Sequence, residues 1–258
     1  MQLGFIGTGK ITTSIIEGLL KSKVKVRQFN ISKRNIKNSN LLKKLSKKVK
    51  VYDDNQNIIN QSSIVFISLV PKVAVKEIPK LKFKKTSTVV SLVSTLNLKA
   101  LKKLCGPVKN IVKACPLPMA RFGLSPTIVF PKNKQICALF DGIGVSIVAQ
   151  NENQNNHLWV MGSFMASYVE IIRSFQDYLT QHQIKSSQSE KYLNLFLTGM
   201  LFELHHGKFD LKKLSKELQT KGGINEELLK RLTQDKVFVN LKKNLNKIFQ
   251  RIKKANDK

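Results

Sequence analysis

The chain has 258 residues, with 45 Lys or Arg against 16 Asp or Glu, for a formal charge of +29. Apolar residues make up 42%, a globular composition, and no window approaches the ~18 consecutive apolar residues of a membrane span. Three cysteines without metal-ligand spacing (Cys105, Cys115, Cys137) exclude a disulfide scaffold and a cysteine zinc site.

The charge is uneven. Residues 1–150 hold 27 basic and 5 acidic residues; residues 151–258 hold 18 and 11. Such a balance raises nucleic acid or an anionic membrane as partners. Only six of the cations are Arg, and the lysines are scattered with few aromatics between them. Arg carries most specific phosphate and base contacts. The expectation is therefore a solvated lysine surface, no nucleic-acid partner and no membrane partner. The N-terminus lacks a basic region followed by an apolar run and a small-residue cleavage site, so a cytoplasmic chain is expected.

In chain order, short β-branched runs predict strands at 3–6, 24–30, 50–52, 64–69, 88–93, 110–114 and 127–130. They are mostly not alternating, which suits a parallel sheet buried on both faces. Between them, Ile11, Ile15, Leu19 and Leu20 keep one helical face, as do Leu41, Leu42 and Leu45. This alternation predicts a doubly wound α/β domain. From Asn156 on, no strand is convincing. Leu158, Met161, Met165, Val169 and Ile172 recur at helical spacing. A helix opens at the capping-box pattern Ser187-Gln188-Ser189-Glu190 and ends near Gly207. Others run over 211–218, after Gly222-Gly223, and through Val237, Leu241, Leu245, Ile248 and Ile252. The polar stretch 150–156 marks a boundary, giving domains 1–152 and 153–258. The fold class is thus an N-terminal Rossmann-type sheet followed by an all-α C-terminal domain. So many apolar helix faces predict a homo-oligomer formed through that domain.

Leu3-Gly4-Phe5-Ile6-Gly7-Thr8-Gly9-Lys10-Ile11-Thr12 reads as strand, glycine turn and helix start. Gly7 permits the tight turn, and Gly9 lets backbone N–H groups approach a diphosphate at the helix N-terminus. Thr12 stands where Gly or Ala is usual. The alternative is an ordinary strand–helix turn. The second strand lacks the terminal acid that marks NAD preference. Ser32 can instead hydrogen-bond a 2′-phosphate, which Lys33 and Arg34 can neutralise, so NADP is the expected cofactor. A solvated basic loop is the alternative.

The order of these motifs resembles the pyrroline-5-carboxylate reductase family over nearly the whole chain. Gly-Phe-Ile-Gly-x-Gly and Ser32-Lys33-Arg34 match its cofactor motifs. The resemblance implies that Asn55 lies beside the cofactor. It places Leu69, Val70 and Pro71 at a cofactor-side turn, with Val70 replacing the family's Lys, and Ser94 near the nicotinamide. The cofactor set it implies, with the residues above, is Ile6, Gly7, Thr8, Gly9, Lys10, Ile11, Ser32, Arg34, Asn55, Leu69, Val70, Pro71 and Ser94. Gly222-Gly223 matches a family turn, so Gly222, Gly223, Ile224 and Asn225 are the substrate candidates. A Gly-Gly turn opening a helix offers backbone N–H groups to a substrate carboxylate. Asn225 takes the place of a Thr that donates to the imine nitrogen, and is the catalytic candidate. A plain helix cap is its alternative.

The family's Met-Pro-Asn-Thr-Pro reads Cys115-Pro116-Leu117-Pro118-Met119, and its Ser-Gly-Ser-Gly-Pro-Ala-Tyr reads Gly162-Ser163-Phe164-Met165-Ala166-Ser167-Tyr168. The cofactor half is kept better than the substrate half. The expected activity is NADPH-dependent reduction of a small cyclic imine, first 1-pyrroline-5-carboxylate. The alternatives are another imine or keto acid, and cofactor binding without turnover. His157, His182, His205 and His206 show no metal-ligand pattern, so no metal is expected. Trp159 and Phe164 are read as packing residues.

Overall fold

The computed structural model describes residues 1–256. Contacts group it into two compact units. One is Met1–Gly162 together with the chain from Ile248 onward; the other is Ser163–Lys247.

The first unit alternates strand and helix: β1 (Gln2–Ile6), α1 (Lys10–Lys21), β2 (Gln28–Ser32), α2 (Ile36–Leu45), β3 (Val49–Tyr52), α3 (Asn55–Asn60), β4 (Ile64–Ile67), α4 (Pro71–Glu77), β5 (Thr88–Ser91), α5 (Leu98–Cys105) and β6 (Asn110–Cys115). Then come β7 (Ser125–Phe130), α6 (Lys134–Asp141), β8 (Gly144–Val148) and α7 (Glu152–Met161). The strands form one sheet in the order β3-β2-β1-β4-β5-β6-β7-β8. Every pairing is parallel except β6 with β7. The strand order reverses direction between β1 and β4, the switch point where doubly wound sheets bind ligands.

Alternation along the strands builds two cores. Phe5, Phe29, Phe66 and Val90 face Ile15, Ile16 and Leu19 of α1 and Leu139 and Phe140 of α6. Phe5 and Phe66 stack at 4.6 Å between ring centroids. On the other face Val65, Ile67, Val89 and Ile111 pack on Ile59, Ala74 and Leu101. Both faces are covered, which is why these strands read as continuous apolar runs. Local chemistry starts the helices. The side chains of Asn35, Asp54, Asn97, Asn133 and Asn151 accept first-turn N–H groups, each such cap being worth about 1 kcal/mol.

Three sequence expectations shift. The strand expected over 24–30 forms at Gln28–Ser32, starting four residues later and ending two later. β8 is missing from the expected set because it is an edge strand with Val145, Ile147 and Val148 exposed. The compact units divide after Gly162, beyond the expected 152/153 boundary. The reason is α7. Val160 is buried, and Leu158 and Trp159 pack over Cys115 and Ile128 of the sheet. The chain end joins the same unit, since Phe249 stacks on His157 at 3.8 Å and Ile252 is buried.

The second unit is helical: α8 (Met165–Gln181), α9 (Ser186–His206), α10 (Leu211–Glu217), α11 (Ile224–Gln234) and the larger part of α12 (Val237–Asn256). The periodic run expected as one helix through Ile172 is split at Gly162–Phe164 into α7 and α8. The capping box at Ser187 does not form. The cap falls at Lys185, and Ser186 meets Glu190 instead.

Candidate active site

The glycine turn after β1 is a fixed structure. Gly7 has φ +101°, and a Cβ there would meet the Ser68 carbonyl oxygen at 2.3 Å. Its N–H donates to Ser32 Oγ at 3.0 Å. The Thr8 hydroxyl donates to the Ser32 carbonyl, and Asn38 Nδ2 donates to the Thr8 carbonyl at 2.9 Å. Thr12 Oγ1 donates to the Gly7 carbonyl at 2.8 Å. The unusual third residue of the motif is thus a stitch that closes the turn on its own helix.

Gly9 caps α1 in an extended conformation, and nothing lies within 4 Å of where its Cβ would be. Neither backbone geometry nor a protein neighbour demands glycine there. The open space faces the first turn of α1, whose N–H groups have no intrahelical acceptor. Such an end carries partial positive charge and suits a phosphate.

Two adjoining clefts surround the turn. One, of about 500 Å³, is lined by Gly7, Ser32, Lys33, Arg34, Ile36, Asp53, Asn55, Leu69 and Glu77. The other, of about 450 Å³, is lined by Gly7, Thr8, Gly9, Arg34, Asn35 and Ile36. The Asn55 Oδ1 atom is buried without a hydrogen-bond partner. A buried, unpaired amide oxygen costs free energy unless a ligand donor reaches it. Lys33 Nζ pairs with Asp53 Oδ1 at 2.8 Å. The hydrogen bond from Lys80 holds the Glu77 carboxyl below the usual carboxylate range, with the charges of Lys80, Lys76 and Arg34 adding to it.

The structure brings Gly7, Thr8, Gly9, Ser32, Arg34, Asn55 and Leu69 together at these clefts. Ile6 is fully buried in the strand, so only its backbone is available, and Ile11 is partly buried against the core. Lys10 is exposed on the first turn of α1. Val70 (exposed), Pro71 and Ser94 lie outside the lining of both clefts. Ser32 is 4% exposed, and its hydroxyl already accepts from Gly7. It serves first to hold the turn. Sequence reasoning missed Asp53 and Glu77. The signal for Asp53 was the strand order: β2 pairs β3 with Ser32 opposite Tyr52, so the residues after each lie side by side.

In the second unit the Gly222–Asn225 turn differs from its expected chemistry. Gly222, at φ +70°, donates its N–H to Glu226 Oε2 at 2.7 Å, and Gly223 donates to the Thr220 carbonyl at 2.8 Å. Neither glycine N–H is free for a substrate anion: the Glu226 carboxylate takes that of Gly222 and the Thr220 carbonyl that of Gly223. Asn225 Nδ2 donates to the Leu218 carbonyl at 3.1 Å, committing its amide to the turn. Ile224 is 85% exposed. Among the described residues no group of three or more His, Cys, Asp or Glu could hold a metal ion. No helix of the described residues is long and apolar enough to cross a membrane.

Residues 2–97 match the sequence model of a family described as NADP oxidoreductase coenzyme F420-dependent. The chain is 23% identical over 260 residues to a pyrroline-5-carboxylate reductase of Staphylococcus haemolyticus, covering 95% of this chain and 94% of that protein. Among solved structures it is similar to 1-pyrroline-5-carboxylate reductase from Streptococcus pyogenes, with a TM-score of 0.86, 17% identity and 98% of each chain covered. It is equally similar to Plasmodium falciparum pyrroline carboxylate reductase with NADP bound, with a TM-score of 0.86, 16% identity, and 99% and 98% covered. The chain thus shares the fold of these reductases, an N-terminal Rossmann-type sheet followed by helices.

Proposed function

We propose, from this likeness to pyrroline-5-carboxylate reductases, that the chain is an NADPH-dependent reductase of a small cyclic imine, 1-pyrroline-5-carboxylate being the first candidate and L-proline its product. The observation that carries the reading is the Gly7–Gly9 turn at the switch point of the sheet, opening onto clefts lined by Arg34 and Asn55. The residues fit a dinucleotide. Gly9 leaves room for a close anion, and Asn55 Oδ1 lacks a donor.

In this reading the first-turn N–H groups of α1 hold the diphosphate. Arg34 and Lys33 neutralise the 2′-phosphate, Arg34 by charge-assisted hydrogen bonds. Ser32 and Thr8 keep the turn in shape rather than carrying the phosphate. Asn55 accepts from a ribose hydroxyl. The bound nicotinamide supplies the hydride, and the reductive power is the cofactor's own. An imine already protonated in water needs no proton from the chain, so the absence of a hydroxyl at Asn225 does not bar the reaction. Leu69, Val70, Pro71 and Ser94 are kept as nicotinamide-side candidates.

The second unit supports a further proposal, a homo-oligomer through its helices. Among its described residues Leu193 is the one apolar side chain buried in the chain, while Tyr168, Phe175, Leu195, Phe196, Leu201 and Phe202 are exposed. A cytoplasmic location is proposed with it; Cys105 and Cys115 are free and buried.

The test is loss of nicotinamide absorbance when NADPH and 1-pyrroline-5-carboxylate are added to the purified chain. Turnover is expected. NADPH binding without turnover of that imine defeats the substrate assignment. It would favour a second reading, another imine or keto acid, which the Glu226 contact on Gly222 and the turned amide of Asn225 favour. Absence of NADPH binding defeats the reading as a whole.

A further inference from the structure

The first 150 residues carry 27 cations and 5 anions, yet the lining of the larger cleft is balanced: Lys33 and Arg34 against Asp53 and Glu77. Two of the five anions thus converge on one cleft. β2 itself ends without an acid; the carboxylate arrives from the neighbouring strand. The Lys33 N–H donates to the Tyr52 carbonyl at 3.0 Å, which fixes Lys33 beside Asp53, and their side chains meet at 2.8 Å. The Ser32 hydroxyl is already engaged by the Gly7 N–H. A 2′-phosphate therefore depends on Arg34 and on Lys33, and Lys33 is held by a competitor.

We propose that Asp53 is a specificity-determining residue of this cleft: it competes with the cofactor's 2′-phosphate for the Lys33 ammonium and so moderates the preference for NADPH over NADH. The inference rests on the dinucleotide reading of the cleft. An exposed ion pair is a weak opponent, so the effect is modest and selective. It acts on the phosphorylated cofactor, because only that one needs Lys33.

The experiment is a fluorescence titration of NADPH and NADH into the full chain. It compares the natural sequence, Asp53→Asn, Lys33→Met and the double variant. The Lys33 and Asp53 side chains are 54% and 82% exposed, so the substitutions leave the core intact. Asp53→Asn is expected to tighten NADPH relative to NADH by roughly threefold to fivefold, the scale of one exposed ion pair. In the Lys33→Met background that gain is expected to vanish. An unchanged ratio of the two affinities, or the same gain with and without Lys33, overturns the inference while the cofactor reading stands. A natural chain that binds neither cofactor overturns both.

Discussion

Gly7 and Gly9 stand two residues apart, and glycine answers to different demands at each. At Gly7 the positive φ and the Ser68 carbonyl leave no room for a side chain. Gly7→Ala is expected to destabilise the chain by about 1–3 kcal/mol, the cost of a strained backbone position. At Gly9 the backbone is extended and the space is open. Gly9→Ala is expected to leave the thermal midpoint almost unchanged while weakening NADPH about tenfold, roughly one charge-assisted hydrogen bond to an anion. Thermal melts paired with cofactor titrations check both. A Gly9→Ala chain that melts early or binds NADPH normally would refute the assignment. Arg34→Ala is expected to weaken NADPH by about 10-fold to 100-fold and NADH far less. Equal losses in the two titrations would contradict the 2′-phosphate role. The thiols give a separate check. Burial pushes Cys105 and Cys115 up to about 12, leaving them as unreactive thiols at neutral pH, while Cys137 is partly exposed. A maleimide is expected to label Cys137 in the native chain and the other two only after unfolding, as peptide mass analysis would show.

One carboxylate joins three elements of the sheet unit. Glu152, at the start of α7, accepts from the Leu98 N–H at the start of α5 at 3.0 Å and from Lys113 Nζ on β6 at 3.3 Å. The Lys113 side chain is fully buried, and its ammonium lies 5.5 Å from the Trp159 ring centroid. Burial lowers the Lys113 pKa, with the Glu152 charge opposing that shift. Removing the partner leaves an uncompensated buried charge. Glu152→Ala is expected to cost about 2 kcal/mol, below the figure for a fully buried pair because a third of the Glu152 side chain reaches solvent. Lys113→Met replaces the ion by an apolar chain of similar length and is expected to be near neutral at pH 7. The sign with pH follows from linkage. Between its lowered value and the ordinary lysine value, Lys113 holds its proton in the unfolded chain and loses it in the folded one. Its contribution to stability therefore rises with pH across that window. Denaturant melts of the natural chain against Lys113→Met should diverge in favour of the natural chain as pH is raised through it. A constant gap would count against a burial-lowered pKa. At this scale most of the fold was legible, because apolar runs and Asn caps are local signals. β8 was not, since its exposed face breaks the apolar run, and neither was the break at Gly162–Phe164, which interrupts an otherwise regular helical period. The glycine turn could be read from six residues. Asp53 and Glu77 could not, because their place at the cleft depends on strand order and on the exit of α4.

The two halves of the molecule are built on different terms. The sheet unit buries its apolar side chains within the chain, in two large clusters and a small third one. The helical unit Ser163–Lys247 buries Leu193 and leaves most of its large apolar residues exposed. Five helices, four complete and one in part, cannot offset their conformational entropy with so small a core. Contiguous exposed apolar surface on this scale marks an interface. On the proposed reading a second copy of the same chain supplies matching helices, and a two-fold interface is the commonest way to cover such a face. The charge of +24 on the sheet unit and +5 on the helical unit points the same way, since on the proposed reading the less repulsive part is the one that meets its own copy. The expected outcome is a particle of twice the 29.2 kDa chain mass in sedimentation at micromolar concentration. Leu195 and Phe202 are seven positions apart on α9 and 66% and 60% exposed, so they share one helix face. Replacing both by Asp would do little to a monomer, because both side chains already lie in solvent. In a dimer it buries two charges per chain, so the Leu195→Asp, Phe202→Asp chain is expected to sediment at 29.2 kDa and melt at a lower temperature. A natural chain that sediments as a stable monomer would show that the exposed helix faces have another partner.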